Sequence, residues 1–333
     1  MKKKASFSHM TWLQAVKHSP GPDTIRDSAL LSLKGLCMGS ADVIPGVSGG
    51  TIALITGIYE DLLAAIKSIN TTALKKALSG DIKGAMALIH IRFLLFLFLG
   101  IGTAIISLAR LMNYLINNQP VYTWSLFFGL IVASILIVGK KVSPWNMGAS
   151  AAFIGGTVAA WMIVGLIPVS TPEDLWFIFL AGFIAICAML LPGLSGAFIL
   201  LIIGKYEFLT ATLKNPFLPA NAMVIIVYCA GTAAGILCFS RFLKWLLDRW
   251  HNATMAFLTG LMAGSLRKIW PWKETLESII IRGKPHILRE QNILPPDFGS
   301  PFLLALTLAG VGVIVVLVLD RMSGPAGESN NRI

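Results

Sequence analysis

Long apolar runs separated by short polar segments dominate the chain, and two of these runs are interrupted by the dipeptide Pro-Gly. A helix needs about 20 consecutive apolar residues to cross a bilayer, so the uninterrupted runs predict membrane-spanning helices. Six such spans are predicted, approximately at 91–117, 122–138, 147–167, 222–247, 253–269 and 302–319. The interrupted runs at 28–66 and 175–213 predict broken helices, because proline lacks an N–H group and clashes with the preceding helical turn.

The two interrupted runs are copies of each other, displaced by 147 positions. Roughly 15 of 33 aligned residues are identical, which indicates an internal repeat. PGVSGG at 45–50 matches PGLSGA at 192–197, and an apolar run resumes after each motif. Ser48 and Ser195 stand where an N-cap is expected, since a serine hydroxyl can accept hydrogen bonds from the first N–H groups of a helix. Each run therefore predicts a helical hairpin whose tip is a helix N-terminus.

These elements predict an all-α polytopic membrane protein made of two inverted-topology repeats, each with one re-entrant helical hairpin and three transmembrane helices. A hairpin returns to its starting side, so the three crossings of each half require consecutive halves to point in opposite directions. The predicted units are a cytoplasmic or interfacial arm at 1–27, the first repeat at 28–170, the second repeat at 171–321 and a cytoplasmic tail at 322–333.

Composition agrees with a membrane protein, because 56% of the residues are hydrophobic and only 13% are charged. The net charge of +11 comes largely from Lys and Arg in short connecting segments, as expected for loops that stay in the cytoplasm. The loop at 270–301 is mildly basic yet would lie outside, which its length permits. Both termini are expected in the cytoplasm. No stripe of aromatic residues interleaved with basic ones suggests base stacking, so no nucleic-acid partner is predicted.

Cysteine and histidine give no sign of a metal centre. The four cysteines lie in apolar segments without CxxC spacing, and the five histidines are scattered along the chain. We therefore predict no metal site and no cofactor, and we interpret the cysteines as small core residues.

The predicted hairpin tips are suited to bind an anion. Free N–H groups and the positive end of a helix dipole favour phosphate or carboxylate, and inverted repeats with broken helices are typical of transporters. The residues predicted to bind phosphate at the tips are Gly46, Ser48, Gly49, Gly50, Gly193, Ser195 and Gly196. Glycine allows close approach of the backbone, and serine adds a hydroxyl donor. The alternative interpretation is a break in the helix that serves packing alone.

Charged residues within the apolar segments are the other candidates. Arg110 and Arg241 are predicted to hold an anionic headgroup, with Arg110 toward the outer face and Arg241 toward the inner face. The alternative is that both arginines reach lipid headgroups or pair with a carboxylate. Asp42 precedes the first break by one turn and could carry a coupling proton or pair with an arginine. Glu60 and Glu207 are interpreted either as proton-titrating groups or as interfacial residues.

The paired PGVSGG and PGLSGA motifs, followed by GIYED and GKYEF, resemble the PopT-type polyprenyl-phosphate transporters, a bacterial membrane family formerly catalogued as a domain of unknown function. The resemblance covers nearly the whole chain. It implies that undecaprenyl phosphate is the lipid partner, returned from the outer to the cytoplasmic leaflet of the inner membrane for reuse in cell-envelope glycan synthesis. Proton coupling and a homo-oligomeric state are left open. Because Ala197 replaces Gly50 and Met189 replaces Asp42 in the second copy, the two tips are expected to be unequal.

The main alternative is an enzyme similar to the undecaprenyl-diphosphate phosphatases, which combine inverted halves with a PGxSRS motif. Gly49 or Gly196 stands in the place of that arginine, and no histidine lies near either motif. Phosphoryl transfer needs an activated nucleophile and stabilisation of the developing charge, and both look incomplete. We therefore predict that the protein is not an enzyme. A transporter of another anion and an assembly scaffold are the remaining alternatives.

Overall fold

A computed structural model describes residues 11–42, 48–281 and 284–323 of the chain. The helices of the first half are α1 (Trp12–His18), α2 (Ile25–Asp42), α3 (Gly49–Ile55), α4 (Tyr59–Ser68), α5 (Thr71–Leu78), α6 (Ile82–Leu88), α7 (Ile91–Asn118), α8 (Pro120–Lys141) and α9 (Met147–Val164). The second half contains α10 (Leu175–Leu190), α11 (Gly196–Ile202), α12 (Tyr206–Thr212), α13 (Pro219–Arg249), α14 (His251–Ile269), β1 (Lys273–Ile281), β2 (Lys284–Asn292) and α15 (Ser300–Ser323).

Five helices in the described part of the chain are long and apolar enough to cross a membrane, namely α7, α8, α9, α13 and α15. They match five of the six predicted spans within a few residues. The sixth predicted span is a helix, α14, but it does not belong to this set. It packs against α9 and α8 and buries Thr254, Thr259 and Ser265. A helix packed against protein can carry such residues, because each of these hydroxyls donates a hydrogen bond to a backbone carbonyl. The acceptor lies in α14 itself for Thr259 and Ser265 and in α13 for Thr254.

The two predicted hairpins are made of α2, α3 and α4 in the first half and of α10, α11 and α12 in the second. Helices α3 and α4 form a pair bent by 114°, which is either a broken span or a re-entrant loop. Helix α10 is apolar but has only 16 residues, fewer than a full crossing requires. The breaks predicted from the sequence thus separate short helices in both halves, and the protein is a mostly helical multi-pass membrane protein.

The first hairpin arm packs against the long helix that follows it in the same way in both halves. Helix α2 contacts α7 through Gly35 and Gly100, and α10 contacts α13 through Gly182 and Gly231. A Cβ atom at any of these glycines would collide with the backbone of the facing helix, so the helices approach more closely than larger residues would allow. The remaining long helices pair between the halves, α8 with α15 and α9 with α14.

The loop predicted at 270–301 contains an antiparallel β-hairpin, which the sequence analysis did not predict. Strands β1 and β2 pair from Lys273 opposite Asn292 to Ile281 opposite Lys284, with irregular register near Thr275. The run TLESIII contains β-branched residues that favour a strand and could have indicated it. The rings of Trp270 and Trp272 lie 5.7 Å apart at the base of the hairpin. The hairpin therefore follows directly after the end of α14.

Candidate functional site

The first break ends in a helix N-terminus whose first N–H groups donate hydrogen bonds to other groups of the protein. Ser48 is the N-cap of α3, and its Oγ accepts a hydrogen bond from the Gly50 N–H at 3.1 Å. The Asp42 carboxylate at the end of α2 accepts from the Gly49 N–H at 2.7 Å. The Thr51 N–H donates to the Ser48 carbonyl at 2.9 Å. The start of α3 thus holds a carboxylate of the protein itself. Gly46 was also predicted to bind here, but it lies outside the described residues.

The second break leaves more of its N–H groups open. Ser195 is the N-cap of α11 and accepts from the Phe198 N–H at 3.5 Å, a long hydrogen bond. Met189 lies against Gly196, where the first break has Asp42 against Gly49. Within the described part of the chain, the Gly196 and Ala197 N–H groups donate no hydrogen bond. An anion at this tip would therefore find donors that no group of the protein occupies.

Gly193 shapes the turn that precedes α11. Its φ of +86° lies in the left-handed region, where residues with a side chain are strained. A Cβ atom at this position would lie 2.8 Å from the Leu261 carbonyl oxygen of α14. Both observations require glycine, so this residue lets the second break pass directly against α14.

Three hydrogen bonds join the two breaks. The Ser48 hydroxyl donates to the Leu191 carbonyl at 3.3 Å, and the Gly193 N–H donates to the Thr51 hydroxyl at 2.9 Å. The Tyr59 hydroxyl donates to the Leu190 carbonyl at 2.7 Å. The exposed fractions of Ser48, Thr51 and Ser195 are 1%, 0% and 8%. The fold thus brings together two segments that the sequence separates by more than a hundred residues, and we call them the junction of the breaks.

The two arginines predicted as counter-charges lie in different surroundings. Arg110 is exposed on α7. Arg241 donates from Nη1 to the Leu237 carbonyl at 2.6 Å and from Nη2 to the Ile69 carbonyl at 3.0 Å. Because Ile69 is the C-cap of α4, Arg241 satisfies a carbonyl at the end of that helix. Neither arginine donates to the groups of the junction among the hydrogen bonds that the described residues make.

The two glutamates at equivalent positions of the repeat also differ. The Glu60 carboxylate contacts the Lys244 ammonium at 3.2 Å and His251 Nδ1 at 4.0 Å, so it ties α4 to α13 and to the start of α14. Lys244 also pairs with Asp248 at 2.9 Å. Glu207 at the start of α12 is exposed. The repeat therefore keeps the residue type at this position, and Glu60 makes its charged contacts with residues of the second half, on α13 and α14.

A cationic cavity that the sequence analysis did not predict lies between α9, α11, α14 and the β-hairpin. Its volume is about 620 Å³, and its charged lining residues are Arg267, Lys268, Lys273 and Glu290. Glu290 Oε2 contacts the Lys268 ammonium at 3.3 Å and the Lys273 ammonium at 3.6 Å. Burial lowers the pKa of Lys273 to about 8, against the opposing attraction of Glu290. Burial alone would raise the pKa of Glu290, but the two lysines outweigh it and lower that pKa.

Helix α11 connects this cavity to the second break. Phe198 lines the cavity, and its backbone N–H is the group that Ser195 caps. The Lys268 ammonium lies 5.1 Å from the centre of the Phe198 ring, within the range of a cation–π contact. A sequence signal existed, because Arg267 and Lys268 lie at the outer end of the span predicted at 253–269 and Lys273 follows in the outer loop, where basic residues are less common.

Comparisons with known proteins give one consistent result. The family model described as undecaprenyl phosphate translocase-like matches residues 38–284. A polyprenyl-phosphate transporter of Vibrio cholerae serotype O1 is 42% identical over 296 residues, which cover 87% of this chain and 95% of the relative. A polyprenyl-phosphate transporter of Staphylococcus aureus is 29% identical over 256 residues, which cover 72% of this chain and 85% of the relative. No solved structure matches the chain at a significant level.

Proposed function

Because the chain belongs to the undecaprenyl phosphate translocase-like family, a family of transporters and not of enzymes, we propose that it moves undecaprenyl phosphate across the bacterial cytoplasmic membrane. The direction we propose is from the outer to the cytoplasmic leaflet, so that the lipid carrier can be loaded again. This direction follows from the resemblance and from the need of the cytoplasmic enzymes for a carrier that is released outside.

The junction of the breaks is the observation that carries the proposal. A phosphate headgroup cannot cross hydrocarbon without donors to replace its hydration, and irregular backbone at membrane depth is tolerated only where it is buried or lines a cavity. The hydrogen bonds from Ser48 to Leu191 and from Gly193 to Thr51 join the first helix break to the second. We propose that the headgroup passes between them, held by N–H groups and the Ser48 and Ser195 hydroxyls.

Inverted repeats explain why two breaks meet. Each half contributes a hairpin arm packed on a long helix through a glycine pair, and the remaining long helices pair reciprocally between the halves. Three crossings per half would then place the two breaks at the same depth from opposite sides, with both termini in the cytoplasm. In this arrangement the C-terminal ends of α9 and α14 and the β-hairpin lie at the outer face.

The proposed mechanism depends on the different hydrogen bonding of the first N–H groups at the two breaks. At the second break the open N–H groups of Gly196 and Ala197 receive the phosphate. At the first break the phosphate exchanges with the Asp42 carboxylate, which now accepts from Gly49. Protonation of Asp42 would weaken its hold on that N–H group and favour the exchange, which is how Asp42 could couple transport to protons.

The other charged residues keep subordinate roles in the proposal. Arg110, exposed on α7, attracts headgroups toward the outer end of the path, and Arg241 does so toward the inner end once it leaves the Ile69 carbonyl. Glu60 anchors α4 to α13 through Lys244, and it is a second candidate for proton coupling together with Glu207. Among the described residues, Arg241 donates to the Leu237 and Ile69 carbonyls and not to the first break.

A transport assay in lipid vesicles tests the proposal. Purified protein is reconstituted with a labelled prenyl phosphate, and its arrival in the opposite leaflet is followed. Replacement of Ser195 by leucine fills a position that is 8% exposed, so we expect transport to fall to the level of protein-free vesicles. The matched control is Ser79→Leu, on an exposed serine after α5. Equal transport by both variants, or release of phosphate from a prenyl diphosphate by the wild-type protein, would contradict the proposal.

A further inference from the structure

We infer that the cationic cavity between α9, α11, α14 and the β-hairpin binds the phosphate headgroup of a membrane lipid before the headgroup enters the junction of the breaks. The inference deepens the proposed function, and the identity of the lipid as a polyprenyl phosphate rests on that function. The cavity itself is defined by its own geometry and charge, which can be tested independently.

The charge of the cavity suits a phosphate monoester. Arg267, Lys268 and Lys273 supply three cations, and Glu290 supplies one carboxylate, which leaves two positive charges in excess. Such a phosphate carries close to two negative charges at neutral pH. The Arg267 guanidinium donates to a single acceptor among the described residues, the Trp161 carbonyl at 3.1 Å. Its remaining donors are available to a ligand, and a guanidinium matches phosphate geometry well.

Glu290 occupies the position between the two lysines that we assign to the phosphate. Its Oε2 atom contacts both Lys268 and Lys273, and the side chain of Lys273 is only 10% exposed. Without an anion between them, two neighbouring ammonium groups in a partly buried site would repel each other. A phosphate oxygen can take the position of Oε2, so binding exchanges one anion for another and the lysines keep a partner throughout.

The rim of the cavity favours a lipid over a soluble anion. Trp161, Leu166 and Ile167 line the cavity with exposed fractions of 52%, 54% and 55%. Trp161 lies on α9, one of the helices apolar enough to cross the membrane. A site for free phosphate needs no such apolar border. An isoprenoid tail can remain in the bilayer against these residues while its headgroup reaches the cations behind them.

The position of the cavity gives it a place on the transport path. Helix α11 begins at the second break and reaches the cavity with Phe198, Leu201 and Ile202. A headgroup bound by Lys268 therefore lies against the same helix whose N-terminus carries the open N–H groups. The proposed topology places this cavity at the outer face, where the lipid must be collected.

Binding measurements with single variants test the inference. The probe is a short-chain prenyl phosphate, titrated into the purified full-length protein in detergent. Removing the guanidinium by Arg267→Gln should weaken binding about tenfold, as expected for the loss of a charged hydrogen bond. Glu290→Gln should tighten binding about twofold to fivefold, because the competing anion is removed. Lys214→Gln, on an exposed lysine of the same proposed face outside the cavity, is the control and should change nothing.

The opposite signs of the two main variants separate a binding site from a structural ion cluster. Unchanged affinity in Arg267→Gln would overturn the inference, as would weaker binding in a folded Glu290→Gln protein. If Glu290→Gln lowers the melting temperature so far that it cannot be measured, the Arg267→Gln result decides alone. Inorganic phosphate and the corresponding prenyl alcohol are titrated as competitors. Competition by inorganic phosphate with the same affinity as the prenyl phosphate would overturn the lipid as the source.

The vesicle assay distinguishes this inference from the proposed function. If wild-type protein transports the prenyl phosphate and the cavity variants bind and transport like wild type, the inference fails and the function stands. If wild-type protein transports nothing but binds the probe in an Arg267-dependent way, the function fails and the cavity remains a phosphate site.

Discussion

The two helix breaks share a sequence motif but use their first N–H groups differently. At the first break Gly49 donates to Asp42 and Gly50 donates to Ser48, so the start of α3 is satisfied within the protein. At the second break the position of Asp42 is taken by Met189, and Ser195 makes one long hydrogen bond to Phe198. The exchange of Asp42 for Met189 therefore leaves the first N–H group of α11 without the carboxylate that accepts at the start of α3.

This difference suggests a division of roles between two copies of one element. The first break carries a built-in carboxylate that must be displaced or protonated, and the second break adjoins the cationic cavity through α11. The repeat supplies two tips with the same motif and a serine N-cap, and substitution then makes them unequal. The predictions below test that inequality, beginning with the largest expected effect.

Placing a carboxylate at the second break should strongly reduce transport. Met189→Asp imitates Asp42 and would let an aspartate accept from the open N–H groups of α11. We expect labelled prenyl phosphate transport in vesicles to fall about tenfold or more, since an exchangeable charged hydrogen bond must be broken at both breaks. Met189→Asn, of the same size but uncharged, should keep most of the activity. Equal losses in both variants would show that the charge is not the cause.

Removing one hydroxyl should destabilise the first half's hairpin and not the second. Tyr59 is 2% exposed and donates to the Leu190 carbonyl across the junction, whereas Tyr206 is 40% exposed. Tyr59→Phe should lower the free energy of unfolding by about 1–3 kcal/mol, because a buried carbonyl loses its donor. Tyr206→Phe should change it by less than about 0.5 kcal/mol. Denaturant unfolding in mixed micelles measures the free energy of unfolding of both variants. Similar decreases in the two would contradict the different roles assigned to Tyr59 and Tyr206.

Alkaline pH should weaken prenyl phosphate binding in the cavity beside the second break. Burial lowers the pKa of Lys273 to about 8, so its ammonium is charged at pH 7 and loses its proton as the pH rises through 8. The charged groups that face Lys273 are Arg267, Lys268 and Glu290, and the neighbouring lysines lower the pKa of Glu290. We expect affinity to fall about threefold to tenfold between pH 7 and pH 9.5.

The control for this pH dependence is Lys273→Arg, since a guanidinium keeps its charge throughout that range. The variant should bind with nearly constant affinity from pH 7 to pH 9.5. A fall as steep as that of the wild-type protein would assign the titration to another group.

The smallest effect is expected at Glu60 and Glu207, the glutamates at equivalent positions of the repeat. Glu60 contacts Lys244 at 3.2 Å with a side chain that is 49% exposed, and exposed ion pairs contribute about 0–1 kcal/mol. Glu60→Gln should therefore lower the melting temperature by only a few degrees. If either glutamate couples protons, the corresponding variant should also lose its response to an imposed pH gradient, which the vesicle assay measures directly.

Much of the fold could be predicted from the sequence because membrane helices follow local rules. Apolar run length placed five spans, and the repeated Pro-Gly motifs placed both breaks with Ser48 and Ser195 as N-caps. Helix α14 agreed in its bounds but is less apolar than the other long helices, because it carries Thr254, Thr259 and Ser265 as well as Arg267 and Lys268. The β-hairpin was missed because its polar and charged residues resemble those of an irregular loop.

Only part of the candidate site could be predicted from the sequence. The motif indicated which residues form the tips, but no local pattern predicts that Tyr59 reaches Leu190 or that Thr51 accepts from Gly193, since these bonds depend on how the halves pack. The same applies to the cavity, where α14 and β2 bring Lys268 and Glu290 together. Arg241 was selected for its charge, and its bond to the Ile69 carbonyl could not be foreseen from the sequence.

Photoaffinity labelling tests the central claim most directly. A prenyl phosphate that carries a photoreactive group beside its phosphate is illuminated in vesicles with the wild-type protein, and the labelled peptides are identified by mass spectrometry. The account predicts adducts in the two peptides that contain Ser48 and Ser195, and their loss when excess unlabelled prenyl phosphate is added. Adducts confined to the lipid-facing surfaces of α13 and α15, with none at either break, would contradict it.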